Sequence, residues 1–205
     1  SLCVFSGRYR RWHYQIVWSV LMPINFISSH ACSTDSTKDI TAGFTADYSE
    51  YLFYFVNMHP DTDNAHFQFQ VNCASGNTSG FNNPITSSVV NIYNGASKIA
   101  TGPNYETSND QASGTGSPVY QDILSRRTGD QDKETVCGWL RLFEPTNTTH
   151  TTMFMSEGIG YHMENYALAM YVGGYIDSEE AIDEISFKFN TGNIESGTIY
   201  MYGVS

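Results

Sequence analysis

Residues 65–72 read AHFQFQVN, with apolar side chains at every second position. Ala65, Phe67, Phe69 and Val71 line one face of an extended segment, and His66, Gln68, Gln70 and Asn72 the other. A repeat of two belongs to a strand and excludes a helix. It returns in EISFKFN (184–190) through Ile185, Phe187 and Phe189. Turn-forming clusters flank the first run, HPDTDN before it and CASGNTSGFNNP after it. YLFYFVNM (51–58) is almost continuously apolar, as suits a strand buried at the centre of a sheet.

Similar runs follow at SSVVNIYN (87–94), ETVCGWLRLF (134–143), HTTMFMSEG (150–158), NYALAMYVGGY (165–175) and TIYMYGV (198–204). Strands recur about every 10–20 residues, with no strand–helix alternation and no internal repeat, and this predicts an all-β protein. The expected architecture is an antiparallel two-sheet β-sandwich, jelly-roll-like, of about nine or ten strands. Residues 95–118 read as a long loop with one short strand at KIA, and PVYQDIL (118–124) as a single helical turn. ISFKFN and TIYMYG are expected to pair as a closing hairpin, with Gly192 and Gly197 in the left-handed region. Composition agrees: aromatics make up 14% of the chain, and charged residues 15% against the roughly 25% of ordinary soluble domains.

Charge divides the chain in two. Arg8, Arg10 and Arg11 make residues 1–21 +3, whereas residues 22–205 carry seven basic and 21 acidic residues, 7 − 21 = −14. An acidic body repels phosphate backbones and argues against nucleic acid as a partner. The apolar stretch after the arginines is short and interrupted by His13, Gln15 and Ser19, so neither a signal peptide nor a membrane span is expected there. Trp12, Tyr14, Ile16, Trp18 and Val20 instead alternate at strand spacing up to Pro23. Residues 1–23 are therefore either the first strand or an N-terminal arm that docks on a neighbour, and residues 24–205 form the sandwich. In the second case Arg8, Arg10, Arg11, Trp12, Tyr14 and Trp18 are the anchors.

Catalytic signatures are missing from the sequence: SEGIG (156–160) only echoes a nucleophile elbow, and six scattered histidines form no metal-binding helix motif. No enzyme activity and no cofactor are expected. Cys3, Cys32, Cys73 and Cys137 show no metal-ligand spacing and read as reduced thiols, with room for one disulfide. Asp61, Asp63 and Asn64 place three oxygen-bearing side chains in one turn, a weak calcium candidate without the glycine and final Glu of an EF-hand. Trp139, within an apolar strand, reads as core, whereas Tyr105 and Tyr120 flank the long loop and are candidates for stacking on a sugar ring.

Three blocks carry a resemblance: DYSEYLFYFVNMHPDTDNAHFQFQ (47–70), GWLRLFEP (138–145) and AIDEISFKFNTGNIESGTIYMYGV (181–204). The last resembles the ending of small β-sandwich virion proteins of tailed, especially marine, bacteriophages. Ile182, Ile185, Phe187, Gly192, Asn193, Ile194, Ser196, Gly197, Thr198, Ile199, Tyr202 and Gly203 match, and Met201 stands where Leu is usual. The resemblance implies a structural protein at the virion surface, assembled in the host cytoplasm. Its expected role is a capsid decoration or cement subunit, self-associated as a trimer or dimer and bound to the major capsid protein or to tail proteins. The alternative it leaves open is a tail-fibre or tail-appendage domain that recognises host surface glycan.

Overall fold

The computed structural model describes residues 23–73, 80–96, 98–100, 102–112 and 119–205. The arm residues Arg8, Arg10, Arg11, Trp12, Tyr14 and Trp18, and Cys3, lie outside the described residues. The described residues form 13 strands and no helix. They are β1 (Ile24–Asp35), β2 (Lys38–Ile40), β3 (Glu50–Pro60), β4 (Phe67–Cys73), β5 (Ile85–Gly95), β6 (Lys98–Ile99) and β7 (Asn104–Tyr105). β8 (Gln121–Asp122), β9 (Val136–Phe143), β10 (Thr152–His162), β11 (Tyr166–Ile176), β12 (Ile182–Phe189) and β13 (Ile194–Val204) complete the set.

Two antiparallel sheets face each other. Nine strands build the larger in the order β1-β13-β3-β9-β10-β11-β5-β6, with β7 also on β5, and four build the smaller in the order β2-β12-β4-β8. Every strand of the small sheet is entered from the large sheet and leaves back to it. The two layers are thereby laced together along the whole chain.

The alternating runs supply the core. Phe67 and Phe69 of β4 and Phe187 and Phe189 of β12 point from the small sheet, each at most 2% exposed. They meet Phe53 and Phe55 of β3 and Phe154 of β10 from the large one. Ring centroids lie 5.5 Å apart for Phe53–Phe187, 5.0 Å for Phe55–Phe187 and 5.1 Å for Phe69–Phe154, in tilted or edge-on geometry. Such pairs add about 0.5–1.5 kcal/mol each beyond their area burial. Cys32 and Cys73 are buried free thiols, and Cys137 is a half-buried one.

Three expectations are corrected. The strand count exceeds nine or ten because residues 95–124 contribute three two-residue strands, β6, β7 and β8. Gln121 and Asp122 pair with Phe69 and Gln68 rather than forming a helical turn. β12 and β13 do not pair as a hairpin: β12 lies between β2 and β4, and β13 between β1 and β3 in the other layer. The closing strand is thus interior to its sheet. Gly192 and Gly197 do take positive φ, 68° and 130°, and Gly197 lies where β13 slips register against β3. Asn57, at φ 52°, sits in the matching irregularity of β3. That bulge turns Met58 inward although it is three residues beyond the inward-facing Phe55.

Gly138 and Gly158 are cross-strand partners on the inner face of β9 and β10. Leu124, fully buried at φ 67°, rests directly on them. A Cβ at position 158 would fall 2.2 Å from the Leu124 Cα, and one at 160 would fall 2.1 Å from the Ser125 Oγ. The glycines of SEGIG are therefore a floor for an inserted loop. Gly158→Ala is expected to lower stability by about 3 kcal/mol, since backbone must move. Gly173→Ala, with nothing within 4 Å of its Cβ, is expected to stay within about 0.5 kcal/mol. Urea denaturation of the two variants beside the parent checks this, and equal midpoints for both variants would refute the packing account.

Candidate functional site

The two outer faces of the sandwich differ in chemistry. On the large sheet the outward side chains of neighbouring strands align in rows set by the ladder register. One row runs Phe26, Tyr202, Leu52, Arg141, Met155 and Gly173, in which Leu52 is buried at 1% exposure. The next runs Tyr200, Tyr54, Trp139, Glu157, Tyr171 and Val90, and a third places Cys137, Ile159, Ala169 and Ile92 side by side. Met153 and Met155 are each 53% exposed and Tyr171 46%.

An exposed antiparallel face ordinarily carries polar residues. This one is apolar and aromatic over six strands, with Arg141 and Glu157 as the charges of the first two rows. Arg141 pairs with Glu50 at 3.3 Å, and its guanidinium lies 5.6 Å from the Trp139 ring centre. Trp139 is therefore not core, as its apolar strand suggested; the register turns it outward, where it is half-buried beside Tyr54. Small side chains on β11 leave two adjoining hollows of about 390 and 380 Å³, which share Asn94, Ile159 and Ala167.

The small sheet presents the opposite character. A pocket of about 480 Å³ with a mixed lining opens beside it, polar at Gln68, Asn109, Asp122 and Lys188 and apolar at Phe81, Val119 and the Tyr120 ring. Its floor is a closed hydrogen-bond network around Asp122, which is 7% exposed. Asp122 Oδ2 accepts from His66 Nδ1 at 2.8 Å and from Asn109 Nδ2, and its Oδ1 accepts from Gln68 Nε2 at 2.6 Å. The Tyr120 hydroxyl donates to Ser186 Oγ at 3.0 Å, and Ser186 donates to Asp39 Oδ1 at 2.5 Å. Lys188 Nζ lies 4.2 Å from the Tyr120 ring centre and, among the described residues, makes no salt bridge.

The predicted tyrosines are separated. Tyr120 lines this pocket, whereas Tyr105 lies on the β7 edge, 59% exposed, with its hydroxyl against Asp110. That hydrogen bond raises the phenol's pKa. Asp110 is also a pocket residue and so connects the two.

Asp61, Asp63 and Asn64 turn to different partners. Asp61 receives the backbone and side-chain N–H groups of Asn193, each at 2.8 Å, which hold its carboxyl below the usual range. Asn64 Oδ1 accepts from Arg127 Nε at 3.1 Å. Asp63 meets Asp130 and Glu134 instead, with ligand oxygens within 4.8 Å of one another. These three carboxylates could hold a hard cation, a grouping that sequence spacing did not reveal because two of them come from the turn before β9.

His66 is oriented by Asp122, but among the described residues no hydrogen bond joins its Nε2 to a hydroxyl or thiol. His162 is 1% exposed and stacks on Tyr166 at 3.9 Å. Its Nδ1 accepts the Glu164 backbone N–H at 3.0 Å, so the ring is neutral with its proton on Nε2. Burial, then the positive charge of Arg127, pushes its pKa down to about 4. The unfolded chain protonates near pH 6.5 and the folded chain only near 4, so stability present above pH 6.5 is lost as pH falls toward 4. Burial also lowers the pKa of His30, which adds the same sign. Urea midpoints measured from pH 7 to 4.5 should fall, and His162→Phe should flatten that slope; an unchanged slope in the variant would contradict the assignment. Compared with known proteins, the chain is matched by no family model, no curated protein and no solved structure.

Proposed function

We propose that this chain is a non-enzymatic structural subunit of a tailed-phage virion, seated on the assembled capsid as a decoration protein. The observation that carries the reading is the apolar outer face of the nine-stranded sheet. Contiguous exposed apolar surface of this breadth marks a docking surface, and the resemblance of residues 181–204 to phage virion proteins names the kind of assembly it would dock on.

The mechanism is linkage. A subunit that buries this face only against the assembled shell stabilises the assembled state by mass action and needs no reacting group. The −14 charge of residues 22–205 favours a shell protein whose apolar patch is rimmed with basic side chains. Arg8, Arg10, Arg11, Trp12, Tyr14 and Trp18 would extend the grip as an arm, and copies around a symmetry axis would contact one another as a dimer or trimer.

Co-sedimentation of the purified protein with undecorated particles tests this. Met155→Glu and Tyr171→Glu alter exposed positions and should leave folding intact, while each lowers affinity for the particle about 30-fold or more, the loss of a hot-spot contact. Undiminished binding by both variants would contradict the proposed face. Deleting residues 1–21 separates the arm's contribution from that of the sheet.

A further inference from the structure

We propose that the pocket beside the small sheet binds a neutral pyranose, one hexose unit of a polysaccharide. The site lies on the layer opposite the apolar face, so it stays accessible whatever that face docks on.

The lining chemistry selects the ligand class. A pyranose offers an apolar C–H face and a rim of hydroxyls, each able to donate and to accept. The pocket offers apolar surface from Phe81, Val119 and the Tyr120 ring next to amides, carboxylates and one ammonium. Lys188 Nζ sits over the Tyr120 ring at 4.2 Å and, among the described residues, has no carboxylate partner, so a ligand hydroxyl can take the N–H donors that the ring does not. Gln111 Nε2 donates to the Val119 carbonyl at 3.1 Å, which turns this amide along the wall.

Charge narrows the class further. Asp110 and Asp122 against Lys188 leave the pocket net negative, which disfavours phosphate, sulfate or uronic acid. A wholly apolar ligand would match Phe81 and Val119 but desolvate Gln68, Asp110, Asp122 and Lys188 without recompense. A volume of about 480 Å³ lies within the usual range for small-ligand sites.

The site is also held in place. Asp122 already takes three donors from His66, Gln68 and Asn109, and Ser186 and Asp39 fix the Tyr120 hydroxyl. Side chains fixed before binding lose little entropy when a weak ligand arrives.

Saturation-transfer NMR on the intact chain tests the proposal, with the methyl glycosides of glucose, galactose, mannose and N-acetylglucosamine as probes, and glucuronic acid as the anionic control. The expected result is saturable binding of at least one neutral glycoside and none of the acid. Tyr120→Ala should weaken it at least tenfold, and Lys188→Ala and Gln111→Ala, both at the rim, should weaken it several-fold with unchanged thermal unfolding. Tyr171→Ala, on the opposite face, should leave it unchanged. No saturable binding of any neutral probe, preference for the acid, or binding indifferent to the rim variants would overturn it. Particle co-sedimentation with the same variants keeps this outcome separate from the docking of the other face.

Discussion

Everything in the molecule depends on the meeting of phenylalanines between the two layers. Phe187 of β12 lies against both Phe53 and Phe55 of β3, and Phe67 of β4 against Phe55, with all four rings closed off from solvent. In a body of two sheets each sheet turns only one face to the other, so the core forms only because both turn their aromatic faces inward. The lacing of the chain reinforces this. No two strands of the small sheet are consecutive, so it cannot form apart from the large one, and the two are expected to stand or fall as one cooperative unit.

Fixing the inner faces also fixes the outer ones. The same ladder that turns Leu140 and Leu142 inward turns Trp139 and Arg141 outward, and the register across six strands gathers Tyr54, Met155, Ile159 and Tyr171 onto one surface. The small sheet's outward positions, Gln68, Ser186 and Lys188, instead join a polar network capped by Tyr120. The sandwich therefore carries one outer face of exposed apolar side chains and one on which polar side chains are joined by hydrogen bonds.

Much of this was legible in the residues. Alternation in AHFQFQVN and EISFKFN identified the inward phenylalanines, because period two survives any tertiary arrangement. What period two does not say is which face is inner when both are apolar. Trp139 illustrates it: GWLRLF places large apolar side chains on both sides, and only pairing with Tyr54 and Glu157 assigns the tryptophan outward. The supposed hairpin of β12 and β13 failed for a related reason. A glycine-rich turn between two strands is compatible with pairing or with crossing between layers, and Asp61, far away in sequence, holds the turn at Asn193 in the crossing arrangement. The pocket was out of reach altogether, since Gln68, Asn109, Tyr120 and Lys188 converge only after folding; Tyr120 alone was marked by its position beside the loop.

The most direct measurement of the central claim is oxidative footprinting of Met153 and Met155, which project from the outer face at 53% exposure each. Both should oxidise readily in the free protein, and both should be shielded when the protein is seated on its particle. Equal oxidation rates free and seated would show that the apolar face still looks into solvent, and the account of what this sandwich is for would fail.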